Sequence, residues 1–363
     1  MNLGLEIGAA VGKTLFIILF ALSLGGLLTW VERKQSALMQ DRIGANRASI
    51  LGLRVWGLFH IIADSVKMFM KEDFVPNTPH RIIHGLAPVL SLFFALLSFA
   101  VIPFGNAITI AGHRIGLQVL DVNIGILFVF AMMSVAVYGI VLAGWSSNNN
   151  FSLLGSIRAS AQMISYEVSI GMTLVGILLI FQTLSLQEIV QAQGGLLFGF
   201  LPAWGVILQP LGFFLFLTAG IAETKRIPFD MPEGESEIIG FFVEYSSMKF
   251  GMFMFAEFVG QILIASLVTT FFFGGWQVPY LADAGFAFPW GGTIPMSAWV
   301  VESLRVISFI GKVAFFCWLQ MLIRWTLPRF RFDQLMNLGW KVLLPLSLVN
   351  AVVTAIVVLW IGQ

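Results

Sequence analysis

Long apolar runs recur along the whole chain, and they constrain its fold more than any other feature. A segment that crosses hydrocarbon must satisfy its own backbone hydrogen bonds, and a helix of about 20 residues does so. With 58 % hydrophobic and 11 % charged residues, no stretch is left over for a separate soluble domain. The sequence therefore predicts an all-α polytopic membrane protein in which residues 1–363 form a single membrane domain. The runs predict eight transmembrane helices, at about 14–31, 86–104, 123–144, 164–182, 203–222, 250–275, 302–323 and 342–361.

The basic residues predict the orientation of these helices. Loops after the odd-numbered spans hold 16 of the 20 Lys and Arg residues, and such loops face the cytoplasm. Both termini are then expected on the opposite side. The first span is not a cleavable signal peptide, because Lys13 is the only basic residue before its apolar run and Glu32, Arg33 and Lys34 follow it directly.

The loop from 32 to 85 has its own helical pattern. Apolar residues recur at helical spacing from Trp56 to Met70, whereas Asp64, Lys67 and Lys71 fall elsewhere. This pattern predicts an amphipathic interfacial helix in the first cytoplasmic loop. Two interpretations stay open, a lipid-surface anchor and the wall of a binding chamber.

The loop from 223 to 249 is unusually acidic for a membrane boundary. Four carboxylates (Asp230, Glu233, Glu235 and Glu237) occupy eight positions. If the segment from Asp230 onward is helical, Asp230, Glu233, Glu237 and Glu244 form one stripe and Glu235 points away. Like charges placed in this way repel one another, and each also costs desolvation energy near lipid. The arrangement therefore indicates carboxylates that change protonation state. The alternative is an acidic loop that is simply solvated.

Two carboxylates and two cations inside the predicted spans carry information about function. Glu167 and Glu257 have no adjacent cation in sequence, and intramembrane carboxylates most often serve proton relays or ion sites. They are expected to face protein or water, unless a tilted helix end carries them to the headgroups. Arg305 and Lys312 share a helix face; either could neutralise a buried carboxylate, and Arg305 could instead snorkel to the interface.

Several kinds of site are excluded or disfavoured. The single cysteine, Cys317, excludes an internal disulfide and any multi-cysteine iron–sulfur cluster. His80 and His84 have i,i+4 spacing, but they follow Pro79 in a basic loop, which favours a loop or headgroup role over metal ligation. No phosphate-binding glycine motif or nucleophile elbow occurs. The chain is therefore expected to carry no metal and no redox cofactor of its own.

A set of motifs gives the chain a resemblance to a known family. These are W-V-E-R-K (30–34), R-I-G-A-N-R (42–47), A-Q-M-I-S-Y-E-V (161–168), P-F-D-M-P-E-G-E-S-E-I-I-G (228–240), E-Y-S-S-M-K-F-G (244–251) and R-W-T-L-P-R-F-R-F-D-Q-L-M (324–336). Together they resemble the quinone-chamber membrane subunit of proton-pumping NADH:quinone oxidoreductase, respiratory complex I. The resemblance covers nearly the whole chain.

The resemblance implies two groups of functional residues. The quinone chamber and its approach would be lined by Glu32, Arg33, Asp64, Lys67, Glu72, Arg226, Phe229 and Asp230. The acidic proton relay would comprise Glu167, Glu223, Glu233, Glu235, Glu237, Glu244 and Glu257. Quinone would be a substrate, and NADH, FMN and iron–sulfur clusters would bind to partner subunits.

The family pattern is not matched at every position. Gly44-Ala45-Asn46 stands where the family commonly has Gly-Pro-Asn, His60-Ile61-Ile62 replaces a segment with Gln-Pro, and Phe332 stands where Tyr is usual. These departures affect the start of the surface helix and one hydroxyl group. None of them touches the acidic cluster.

The sequence therefore favours a non-redox membrane subunit of a proton-translocating NADH:quinone oxidoreductase in a bacterial inner membrane. Expected partners are hydrophilic quinone-site and iron–sulfur subunits, small membrane subunits and antiporter-like subunits. One alternative is the equivalent subunit of an energy-converting hydrogenase or a related dehydrogenase. A stand-alone ion-coupled transporter is the other, although such proteins often contain inverted repeats, and no convincing repeat is found here.

Overall fold

The chain folds into a bundle of long helices, which confirms the predicted all-α polytopic class. The computed structural model describes residues 3–76, 80–110, 113–197, 199–232, 234, 238 and 240–361. Seven helical stretches in this part of the chain are long and apolar enough to cross a membrane. The helices are α1 Leu3–Met39, α2 Phe59–Met70, α3 Arg81–Leu97, α4 Gly125–Ser146, α5 Asn150–Phe181, α6 Leu186–Ala192, α7 Gly205–Leu208, α8 Pro210–Glu223, α9 Ser247–Phe272, α10 Ala298–Thr326, α11 Phe332–Asn337 and α12 Leu344–Ile361.

Several helices extend well beyond the apolar runs that predicted them. The run at about 14–31 lies within α1, and the run at about 164–182 covers little more than the second half of α5. Hydropathy detects only the part of a helix that crosses hydrocarbon, whereas the backbone hydrogen bonds continue wherever the side chains tolerate a helix. The predicted loop from residue 32 therefore begins inside α1.

The predicted fifth span is a broken helix rather than one long one. The short helix α7 ends before Gln209, whose backbone is not helical (φ −137°, ψ 61°), and Pro210 starts α8. Proline suits the first helical position because it has no N–H to leave unpaired. The Gln209 side chain donates to Thr354 Oγ1 and accepts from Asn350 Nδ2 at 2.7 Å. The break is thus tied to α12.

Small antiparallel sheets occupy the loops after the second, fourth and sixth predicted spans. Their strands are β1 Ala107–Ile110, β2 His113–Gly116, β3 Leu196–Leu197, β4 Leu201–Pro202, β5 Leu281–Ala282, β6 Gly285–Ala287 and β7 Thr293–Pro295. Strand β1 pairs with β2, β3 with β4, and β6 with both β5 and β7. Lys13 in the first half of α1 donates to the Gln118 carbonyl oxygen at 2.8 Å. This contact places that part of α1 with the loop after the second span, as expected for alternating helices.

The core lies where α5, α8 and α9 meet. Tyr166, Phe216 and Val259 from these three helices are completely buried. The Tyr166 hydroxyl donates to the main-chain carbonyl oxygen of Leu335 in α11 at 2.9 Å. This bond attaches the last part of the chain to the centre of the bundle.

Two cations of α10, Lys312 and Arg305, stabilise the end of the molecule near β5–β7. Lys312 Nζ donates to the carbonyl oxygens of Phe273, Gly275 and Gln277 at 2.8, 3.0 and 2.6 Å, just beyond the C-terminus of α9. A cation suits the negative end of a helix dipole. The snorkelling interpretation of Arg305 is wrong, because its side chain is buried and pairs with Glu302 at 2.5 Å and Asp283 at 2.7 Å.

Candidate functional site

A cavity of about 350 Å³ lies between α1, α2 and α9. Its walls are mainly apolar, with Ile61 and Met68 from α2 and Phe255 and Phe258 from α9. Mostly apolar cavities with a few polar groups are typical of small-molecule sites. Four of the predicted chamber residues line it together: Glu32, Arg33, Asp64 and Lys67. We refer to it as the α1–α2–α9 cavity.

The predicted amphipathic helix is confirmed as α2, and it forms one wall of this cavity. It begins at Phe59 rather than at Trp56, because Trp56 and Gly57 both have positive φ angles. Asp64 of α2 binds Arg33 of α1 at 2.6 Å and Lys67 at 3.1 Å. The Arg33–Asp64 pair joins α2 to α1 at the charged end of the cavity, and the Asp64–Lys67 pair lies within α2.

Glu32 lies at the centre of a second set of charges. Its carboxylate is 2.5 Å from Arg324 Nη1 at the end of α10 and 3.7 Å from Arg226 Nη1. All three side chains are largely buried. A buried carboxylate needs paired charges, and here two arginines from distant parts of the sequence supply them.

Arg226 connects this set to the interior of the bundle. Its Nη2 atom is 3.6 Å from Glu257 Oε2 in α9, and its guanidinium lies over the Phe258 ring at 4.3 Å. Only 8 % of the Glu257 side chain is exposed. The expectation that Glu257 faces protein rather than lipid is therefore confirmed, and its missing cation is Arg226.

A second, smaller cavity lies directly beyond Glu257. It measures about 60 Å³ and is lined by Glu223, Lys225 and Glu257 together with residues of α3, α4 and α5. This volume has room for a few water molecules, which need polar partners of the kind present here. We refer to it as the inner cavity. It brings together two of the predicted relay residues, Glu223 and Glu257.

Glu167 lies on α5 but does not line the inner cavity. It accepts a hydrogen bond from Ser134 of α4, so it faces a neighbouring helix as expected. Glu244 lies further along the chain and accepts from Asn149 Nδ2 at 2.8 Å. Glu244 therefore lies apart from the inner cavity, whereas Glu167 lies close enough to Glu223 to interact with it electrostatically.

The segment after Arg226 is held in place by the core. Gln162 Nε2 donates to the main-chain carbonyl oxygens of Ala222 and Phe229, both at 2.7 Å. Arg329 binds Asp230 at 2.8 Å, and Phe330 stacks on Phe229 with ring centroids 5.4 Å apart. This packing fixes the backbone on both sides of Arg226.

Some predicted chamber residues support the site from a distance. Phe229 and Asp230 are buried beside the segment 329–330 and do not line the α1–α2–α9 cavity. Glu72 also lies outside its lining, and its main-chain carbonyl oxygen accepts from Ser246 Oγ at 2.8 Å. The structure thus assigns these residues to the frame of the cavity.

The predicted carboxylate stripe is not present as one helix. The described residues between Asp230 and Tyr245 lie outside any helix. Pro232 removes a backbone donor, and Gly240 has a φ of +128° that other residues rarely adopt. Three predicted relay residues, Glu233, Glu235 and Glu237, lie outside the described residues.

Sequence reasoning missed several residues that hold the site together. It used Arg324 and Arg329 only as basic residues that set the orientation, and Gln162 only as part of a motif. The motif around 324–336 was a usable signal, since it carries three arginines next to a membrane span. Nothing in the sequence indicated which carboxylates they bind.

Comparisons with known proteins show the family of the chain. A family profile described as NADH dehydrogenase matches residues 12–355. An NADH-quinone oxidoreductase subunit of the H type from Cytophaga hutchinsonii is 44 % identical over 91 % of this chain and 91 % of its own length. An H-type subunit from Geobacter sulfurreducens is 44 % identical over 96 % of this chain and 94 % of its own length. An H-type subunit from Flavobacterium johnsoniae is 42 % identical over 91 % of this chain and 89 % of its own length. The chain therefore belongs to the NADH dehydrogenase family and is similar over nearly its whole length to the H-type subunits of bacterial NADH-quinone oxidoreductases.

Proposed function

We propose that this chain is the membrane subunit of a proton-translocating NADH:quinone oxidoreductase that forms the membrane side of the quinone site. Electrons would reach the quinone from NADH through FMN and iron–sulfur clusters on partner subunits. The family assignment and the names of the relatives support this role. The apolar α1–α2–α9 cavity, with charges at one end, suits a ligand that has an apolar tail and a polar head.

The observation that carries the proposal is the position of Arg226. Its guanidinium lies between Glu32, which lines the α1–α2–α9 cavity, and Glu257, which lines the inner cavity. One cation thus interacts with a carboxylate on each side. A change of charge at Glu32 alters the field at Arg226 and hence the cost of holding Glu257 ionised.

This geometry provides a way to couple quinone chemistry to proton movement. Reduction of a quinone to a quinol consumes two electrons and two protons, so charge changes at the polar end of the cavity during each turnover. Glu32 and Arg33 lie at that end and respond first. The altered field at Arg226 then acts on Glu257, which takes up a proton from the inner cavity or releases one into it.

The remaining predicted relay residues extend this route within the proposal. Glu223 shares the inner cavity with Glu257, and Glu167 lies on the adjacent helix α5. Glu233, Glu235, Glu237 and Glu244 would supply the cytoplasmic part of the route. Antiporter-like partner subunits would receive the charge change from these carboxylates.

The same proposal fixes the orientation. Loops 32–85 and 223–249 would face the cytoplasm of a bacterium, where hydrophilic quinone-site and iron–sulfur subunits would bind. Small membrane subunits would pack on the outer faces of the bundle. Both termini would lie on the periplasmic side of the inner membrane, as the basic residues predict.

Purification of the tagged chain from its native membrane tests the assignment. We expect partners that contain flavin and iron–sulfur clusters, and a blue-native gel band far larger than this chain. A band of the size of a monomer or homo-oligomer would contradict the proposal and favour a transporter. A nickel-containing partner would favour the hydrogenase alternative.

A further inference from the structure

A buried histidine lies outside the residues used so far. His84, in the first turn of α3, is completely buried, and its ring stacks on Tyr245 with centroids 4.0 Å apart and planes 2° apart. Neither ring nitrogen makes a hydrogen bond of good geometry in the described structure. A buried polar group without a partner costs free energy. The position therefore calls for a functional reason.

The charged groups that face this ring come from two other segments. They are Asp73, Glu244 and Lys249, and the main chain of Glu244 lies beside the ring. Lys249 pairs with Asp73 at 2.8 Å. Helix α4, which also packs on α3, contains no Asp, Glu, Lys, Arg or His. Because Asp73 already pairs with Lys249, Glu244 is the carboxylate that a positive charge on His84 would attract.

Tyr245 does not titrate in the physiological range. Its hydroxyl lies 3.3 Å from Ser146 Oγ, and its ring packs edge-on against Phe253. Burial disfavours the phenolate and raises the pKa of Tyr245 to about 12. His84 is then the member of this stacked pair whose charge can change as the pH falls.

The residues 244–249 connect three parts of the proposed machinery, and we call them the junction. Glu244 binds Asn149 at the start of α5. Ser246 and Ser247 donate to the carbonyl oxygens of Glu72 and Met68, at 2.8 and 2.9 Å. Met68 lines the α1–α2–α9 cavity. A movement of the junction would therefore move the wall of that cavity.

We propose that His84 is a positioning residue whose protonation holds the junction against α3 during turnover. The proposal rests on the proposed function, because its effect reaches the quinone cavity through Met68. A charged imidazole gains cation–π attraction to the Tyr245 face and Coulomb attraction to Glu244. Burial of the ring and the charge of Lys249, which Asp73 offsets only in part, oppose this protonation.

The test is the pH profile of quinone reduction by the assembled enzyme. His84→Phe keeps an aromatic ring on Tyr245 and removes titration. We expect its rate to stay within about twofold of wild type near pH 8 and to fall at least about threefold below it once the pH is low enough to charge the imidazole, below about pH 6. His84→Met, which also fills the space without a charge, should give the same profile.

The matched control is His80→Phe. His80 lies one helical turn earlier and also stacks on an aromatic ring, Trp145, but it is exposed. This variant should keep the wild-type profile. A wild-type profile in both His84 variants, the same change in His80→Phe, or failure of both His84 variants to assemble would overturn the proposal.

The result also separates this inference from the proposed function. Arg226→Ala is expected to lower the rate at every pH, whereas His84→Phe is expected to change the shape of the profile. Wild-type rates in Arg226→Ala would contradict the proposed function alone. An unchanged profile in His84→Phe beside an impaired Arg226→Ala would contradict only the role of His84.

Discussion

Arg324 Nη1 lies 2.5 Å from Glu32 Oε1, which joins the end of the seventh predicted span to the end of the first. The same carboxylate faces Arg226 at 3.7 Å. Arg324 is therefore one of two cations that pair with Glu32 beside an apolar cavity. The charges around the α1–α2–α9 cavity thus include a residue far away in sequence.

Replacement of Arg324 by Gln should lower quinone reductase activity about tenfold, equivalent to about 1.4 kcal/mol of transition-state stabilisation. The variant leaves Glu32 with Arg226 alone. Activity is measured on assembled enzyme in membranes. Arg331→Gln is the control, because Arg331 pairs with Asp333 at the surface, where such pairs contribute little. Equal losses in both variants would show that the effect is not specific to Glu32.

Replacement of Arg226 by Ala should impair quinone reduction more severely, by about 100-fold or more, since it leaves Glu32 and Glu257 without their shared cation. Arg226→Lys keeps the charge and should retain a measurable part of the rate. Electron transfer from NADH to a soluble acceptor should survive in both variants. Full quinone reductase activity in Arg226→Ala would remove the central observation of the proposed function.

Glu257→Gln keeps the size of the side chain and some of its hydrogen bonding but removes titration. We expect quinone reduction and proton uptake to fall together by about tenfold or more, while electron input from NADH persists. Glu233→Gln and Glu237→Gln are predicted to have the same effect. The control is Glu188→Gln in α6, an exposed carboxylate that accepts from Thr183. Normal proton uptake in the first three variants would refute the acidic relay.

Gln162→Leu should destabilise the segment that carries Arg226. Gln162 is completely buried, and its loss removes one of the donors to each of the carbonyl oxygens of Ala222 and Phe229, which keep main-chain donors from Lys225 and Met231. Each hydrogen bond lost in this way costs about 0.5–1.5 kcal/mol. The expected result is a lower thermal inactivation temperature of the assembled enzyme together with reduced activity. Gln162→Glu, which still accepts but does not donate, should be no more stable than Gln162→Leu.

The predicted orientation can be tested by cysteine labelling in sealed membrane vesicles. Arg47→Cys should react from the cytoplasmic side and Asp283→Cys, at an exposed position, from the opposite side. The native Cys317 is buried and gives little background. Gln118 is unsuitable as a probe because it is buried and donates to Val101. Reaction of Asp283→Cys from the cytoplasm would exclude the proposed orientation.

The sequence by itself determined the class of fold and the position of most helices. Apolar runs report the local cost of placing backbone in hydrocarbon, so each span could be identified from its own residues. The apolar pattern before Met70 likewise identified α2, because helical periodicity is a local property. The break in the fifth span was not predicted. The hydrogen bonds that Gln209 makes there, to Asn350 and Thr354, form only when distant parts of the chain come together.

The tertiary structure decided which charges meet. Glu257 has no cation near it in sequence, and only folding brings Arg226 to within 3.6 Å. Glu32 and Arg324, or Asp230 and Arg329, come together because α1, the segment after α8 and the end of α10 pack against one another. The energy of an ion pair depends on distance and burial rather than on separation along the chain. For this reason the residue types of the site could be read from the sequence, whereas the connection through Arg226 required the fold.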